Sequence, residues 1–131
     1  MASILRVNTL TDASSNNSTP MATVASGTAK AWVRFNGIGT IAIAKSFNTS
    51  SITDEGTGTY DQNYSSNFSD AVYNYVHGAK DENNGMGVPT LQSDPTTADA
   101  TSSMRLIYNY PPNTNFFDGV AICNNIFGDL A

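Results

Sequence analysis

The stretch that most limits what this chain can become runs from Thr23 to Tyr64. Its side chains alternate with a period of two, the spacing of a strand rather than of a helix. Three runs separate within it: Ala29–Phe35, Thr40–Phe47 and Ser51–Tyr64. The first two are divided by Asn36-Gly37-Ile38-Gly39, and Asn-Gly is a strong hairpin signal because both residues tolerate a positive φ. The third folds on itself at Asp54-Glu55-Gly56-Thr57-Gly58, where the glycines are expected to take positive φ. In the second run Ile41, Ile43, Lys45 and Phe47 fall on one face, with Thr40, Ala42, Ala44 and Ser46 on the other. The pattern predicts an antiparallel meander.

The flanking sequence extends the same pattern. Ser3–Leu10 alternates as a strand and Thr11–Pro20 is a polar run without period, so residues 1–20 read as an N-terminal strand and linker serving anchorage or assembly. Residues 21–131 read as one domain. Ala71–Val76 alternates Tyr73 and Tyr75 against Val72, Asn74 and Val76, a strand with an aromatic face. His77–Ser103 reads as a long irregular stretch, followed by strands at Ser103–Tyr110 and at about Gly119–Phe127, with Pro111-Pro112 between them. No segment carries a helical period. The expected fold is all-β, an antiparallel β-sandwich or jelly roll of about eight to ten strands.

Composition narrows the partners. Only 13% of the 131 residues are charged, so Ser, Thr and Asn must solvate the surface. The net charge is −5 and the six Lys and Arg residues are scattered, which argues against nucleic acid and against anionic membranes. Cys123 is the single cysteine and excludes an intrachain disulfide; it lies in an apolar run and reads as a buried structural thiol rather than a nucleophile. No stretch reaches the roughly 20 apolar residues of a membrane span, and no signal peptide opens the sequence, so assembly in a host cytoplasm is expected.

Two strings carry a family resemblance. One is Val24-Ala25-Ser26-Gly27-Thr28-Ala29-Lys30-Ala31-Trp32-Val33, with Phe35-Asn36-Gly37 and Gly39-Thr40 after it. The other is Ser46-Phe47-Asn48, Ser50-Ser51-Ile52-Thr53-Asp54, Gly56-Thr57-Gly58 and Tyr60. Together they resemble a domain recurrent in tail-fibre and other virion proteins of tailed bacteriophages, especially those of marine and cyanobacterial hosts. The ending, Val120-Ala121-Ile122 and Ile126-Phe127-Gly128, is similar as well. The resemblance implies a β-rich domain, a homotrimer and contact with other virion proteins. Asp61 and Gln62 depart from it, because relatives continue there with an alternating apolar strand.

Candidate chemistry is sparse. His77 is the one histidine, so a histidine-based triad or multi-histidine metal site has no second member. Asp81-Glu82-Asn83-Asn84-Gly85 lacks the glycine position and the twelfth-place Glu of a calcium loop. Asp54, Glu55 and Asp61 read as turn carboxylates rather than a glycosidase pair. No residue set recommends a cofactor. Trp32, Phe35, Tyr73 and Tyr75 are the residues expected in the core or at an interface between subunits. Asp81, Asn83, Asn84, Gln92 and Asp94, in the long irregular stretch, are the candidates for contact with a host glycan. The expected function is that of a non-enzymatic virion protein, a tail-fibre or tail-tip component. A capsid decoration protein and a carbohydrate-binding module are the alternatives.

Overall fold

The alternation resolves into two antiparallel sheets with the large side chains between them. The computed structural model describes residues 4, 6–80, 90–93, 97–110 and 115–131. A hairpin of β1 (Thr9–Thr11) and β2 (Ser18–Pro20) leads into helix α1 (Met21–Gly27). The chain then forms β3 (Ala31–Asn36), β4 (Ala42–Phe47), β5 (Thr49–Gly56), β6 (Thr59–Tyr64), β7 (Asn74–Lys80) and β8 (Thr90–Ser93). It closes with β9 (Ser103–Tyr110), β10 (Asn115–Phe116) and β11 (Ala121–Phe127). One sheet has the order β4-β3-β11-β7, the other β10-β9-β6-β5 with β8 also on β9. The fold is all-β and sandwich-like, as the period predicts.

Every second residue of the inner strands enters one core. Ala31, Val33 and Phe35 of β3 and Ile122 and Ile126 of β11 cluster with Tyr60 and Tyr64 of β6 and Met104, Leu106 and Tyr108 of β9. Phe35 meets Tyr60 edge to face at 5.1 Å, and Tyr64 meets Phe68 in the same way at 4.9 Å. Such pairs add about 0.5–1.5 kcal/mol to the burial itself. The chain passes from one sheet to the other at Asn48, whose φ of 49° lies in the left-handed region that asparagine tolerates. Its side chain holds the corner: Asn48 Oδ1 accepts from Ser66 N at 2.7 Å and Nδ2 donates to Ser66 O at 3.0 Å.

Four local readings change in three dimensions. The first is β4. Buried Val33 lies opposite Ser46 and buried Phe35 lies opposite Ile43, with a register shift between them. Residues paired across a ladder share a face, so the bulge turns Lys45 and Phe47 to the outer side, opposite Arg34 and Trp32. Ile41, Ile43, Lys45 and Phe47 therefore do not share one face. The second is the helix: residues 21–27 span only two turns, too short for a 3.6-residue period to register, and Ser26 and Thr28 cap it by bonding back to Ala22 O and Val24 O. Third, regular pairing starts only at Thr9 among the described residues, and part of the expected linker returns as β2, with Asp12 accepting from Ser14 N, Asn16 N and Asn17 Nδ2 in the turn. Fourth, Asp70 Oδ1 takes Val72 N into a turn, which delays β7 to Asn74 and carries it through His77 to Lys80. The stretch expected to be irregular thus begins in a strand and holds another, β8.

The Asn36-Gly37 connection is a longer loop than a two-residue turn. Asn36 bonds both ways with Ile38, and only Gly39 among the loop glycines has positive φ. Gly37 is needed for space, since a Cβ there would collide with the ring and hydroxyl of buried Tyr60. Gly39 and Gly58 have nearly the same φ, 67° and 66°, but differ in surroundings. A Cβ at Gly39 meets nothing within 4 Å, whereas one at Gly58 would sit 2.6 Å from Tyr108 O and 2.7 Å from Phe117 N. Gly39→Ala should cost only the left-handed strain, about 1 kcal/mol. Gly58→Ala should cost at least about 1 kcal/mol more, because backbone cannot move aside. Urea unfolding of the two variants measures the difference, and equal losses would refute the steric account.

Candidate functional site

Two features of the sandwich exceed what a plain apolar core requires. One is a chain of buried polar side chains. Thr49 on β5 donates to Trp32 O at 3.3 Å, Gln62 Nε2 on β6 donates to Thr49 Oγ1 at 2.8 Å, and Asn124 Nδ2 on β11 donates to Gln62 Oε1 at 2.7 Å. With its amide nitrogen so committed, Asn124 turns Oδ1 to His77 Nδ1 on β7 at 2.8 Å, which makes the imidazole the donor there. Gln62 and Asn124 are fully buried. His77 stacks on Tyr75 with ring centroids 4.5 Å apart, and its Nε2 is buried without a hydrogen-bond partner among the described residues. Burial holds the imidazole below its ordinary pKa, against the opposing pull of the Asn124 bond and of Asp99. The chain stitches the two sheets together.

The second feature is the outer face of the four-stranded sheet. Register places Phe47, Trp32, Asn125 and Val76 in one row across β4, β3, β11 and β7. The next row is Lys45, Arg34, Cys123 and Gly78. Cys123 is thus half-buried on the outer face and not in the core as its apolar run suggests, because Ile122 and Asn124 take the inward positions of β11. Phe47 is 51% exposed and Val76 56%. Arg34, Lys45 and Lys80 are exposed and lie on three of the four strands, and Arg34 faces Lys45 directly, an arrangement that repels. The ion pairs found among the described residues lie elsewhere: Arg105 bonds Asp61 through Nε at 2.7 Å and meets Glu55 at 3.2 Å.

These contacts place the sequence candidates. Phe35 is in the core, with Tyr73 and Tyr75 packed against it. Tyr73 donates to Ala100 O and Ser103 O, each at 3.2 Å. Trp32 lies half-buried on the outer face. Gln92 is on β8 opposite Ile107. Asp81, Asn83, Asn84 and Asp94 lie outside the described residues, as does the calcium-like run 81–85. Glu55 and Asp61 are bound to one guanidinium, and Asp54 accepts from Gly56 N in the β5–β6 turn. Asp118, which no sequence signal marks, accepts from Tyr60 Oη and Gly58 N, both at 2.8 Å. Burial first, and then this carboxylate, push the Tyr60 phenol well above its usual pKa. Gln62, a departure from an apolar strand, is the centre of the buried chain. Among the described residues no group of three potential metal ligands gathers, and no helix is long and apolar enough to cross a membrane. The chain matches none of the family models, curated proteins or solved structures with which it was compared.

The buried chain has measurable consequences. Asn124→Ala strands Gln62 Oε1 and His77 Nδ1 and should destabilise the fold by at least about 2 kcal/mol. His77 also links stability to pH. Its pKa is lowered on folding, so the unfolded chain binds the extra proton. Stability should be full above about pH 6.5 and fall as the pH drops from there towards the lowered folded value. Denaturant titrations between about pH 7.5 and pH 5.5 should show this slope in the wild type and its loss in His77→Gln; parallel slopes would refute it.

Proposed function

We propose that the protein is a non-enzymatic structural component of a tailed-phage particle, a tail-fibre or tail-tip subunit that acts as a homotrimer. The observation that carries the reading is surface left uncovered: residues 6–20 are exposed throughout, no residue of α1 is buried, and the outer sheet face presents Phe47 and Val76. Exposed apolar surface rimmed by polar residues marks association. The resemblance of Val24–Thr40 and Ser46–Tyr60 to phage fibre domains supports the same reading, as does a surface solvated by neutral residues. In the trimer, the segment around Asp81, Asn83 and Asn84 meets a cell-surface glycan, and three copies multiply weak sugar contacts through avidity.

Light scattering at micromolar concentration should give three chain masses of 13.9 kDa each. Antibody fragments against the protein should then decorate the tail end of purified particles in electron micrographs. Label spread over the head would select capsid decoration instead, and a stable monomer that binds glycan without marking particles would select a carbohydrate-binding module. Replacing Asp81, Asn83 and Asn84 together by Ser should weaken binding to host cells while leaving the mass unchanged. Undiminished binding would exclude them as the receptor contact.

A further inference from the structure

We infer that the N-terminal arm of one copy, residues 6–28, lies across the outer face of the four-stranded sheet of another copy. The inference rests on the assembly reading above and names the two surfaces that meet. Among the described residues the arm is folded with little to fold against, since only Met21 and Val24 of residues 6–28 are even partly buried. An isolated two-stranded hairpin is marginal in water, and so is a helix of seven residues. Here both occur in succession, with Val7 and Leu10 exposed and Ile4, just ahead of them, 76% exposed. Among the described residues the arm joins its own sandwich at its C-terminal end. Lys30 N donates to Ile126 O, and Lys30 Nζ reaches back to the carbonyls of Ala25 and Thr28 at the helix end. Even this joint is open: a groove of about 520 Å³ separates Ser26 and Gly27 from Val72, Asn74 and Phe127.

The sheet face needs a cover of particular chemistry. Two such faces packed on each other about a twofold axis would bring Arg34, Lys45 and Lys80 of both copies together, so that arrangement is disfavoured by like charge. A cover that adds no cluster of cations and carries apolar side chains meets Phe47 and Val76 without that repulsion. The side chains of residues 1–29 include one cation, Arg6, and one anion, Asp12, and Asp12 is engaged in the β1–β2 turn. A neutral strip carrying Val7 and Leu10 can lie along the Phe47–Trp32–Val76 row with the cations left at its sides. Both exposed surfaces belong to the same chain, so exchange between copies covers each with the other. Because arm and face are different surfaces, the contact runs from one copy to the next and can close a ring of three.

The native thiol offers the test. Cys123 stands in the middle of the face, opposite Arg34 and Gly78, and is the only cysteine. A full-length variant with Leu10→Cys should be joined by a short bismaleimide between position 10 of one copy and Cys123 of the next, giving covalent dimers and trimers. The linkage is read by peptide mapping and should disappear when Cys123→Ser is added. Separately, Phe47→Glu and Val76→Glu change exposed side chains and should lower the mass to one chain, with the unfolding midpoint of the sandwich retained. An oligomer that yields no link between position 10 and Cys123, or that survives both glutamates, overturns the inference while the assembly reading stands. A wild-type monomer overturns both.

Discussion

The hydrogen-bonded run from Trp32 O through Thr49, Gln62 and Asn124 to His77 is the constraint on which the sandwich depends. An apolar core alone tolerates sliding of one sheet over the other, since the hydrophobic effect is not directional. Amides are directional, and a buried one without a partner costs about 1–3 kcal/mol. Here β5, β6, β11, β7 and β3 each supply one group, so both sheets and their stacking are fixed by a single connected set. A slip of one residue in either sheet would carry these side chains to the outer face and leave their partners stranded. The aromatic contacts around Phe35, Tyr60, Tyr64 and Phe68 then fill a space whose register is already set.

At the hairpin end of the molecule the same economy recurs with a charge. Asp118 accepts from Tyr60 and from the backbone of Gly58, while Gly37 N donates to Gly119 O. The β3–β4 loop, the β5–β6 turn and the approach to β11 are thereby held in one cluster. Glycine is required at Gly37 and Gly58 because another part of the chain occupies the position of a Cβ there. The opposite side of the molecule is not closed in this way. There the arm, the groove beside Val72 and the Phe47–Trp32–Val76 row stay open, and in the proposed assembly a neighbouring copy covers them. In that proposed assembly the cations of the face serve specificity more than strength, because they repel a copy of themselves.

Much of the fold is legible in the sequence, and the exceptions have definite causes. The third run folds where its glycines stand, and Gly56 and Gly58 both have positive φ. The strand at Ser103–Tyr110 matches its expected bounds. Tyr73 and Tyr75 face inward and Val72, Asn74 and Val76 outward, as their alternation predicts, although the ladder starts later. Gln62 reads as a break in an apolar strand because its meaning lies in Asn124, 62 residues away. The β2 strand and the helix of the arm give no signal because three and seven residues are too few for a repeat to stand out. Trp32 suits core and interface equally in the sequence, since both environments favour a large aromatic.

The sequence by itself determined the all-β class, the β3–β4 and β5–β6 hairpins and the positive φ of Gly56 and Gly58. It did not determine the single meander it predicts, because β4 and β5 lie in different sheets. The class, the hairpins and the turns depend on side-chain alternation and on local backbone sterics, which act over a few residues. Tertiary structure alone decided which face of each strand is inside, where the bulge in β4 moves Phe47 and Lys45 to the outer surface, and that Gln62, Asn124 and His77 meet. Each of those outcomes depends on pairing between segments far apart in the chain, and such pairing is fixed only when the whole core closes and every buried polar group finds its partner.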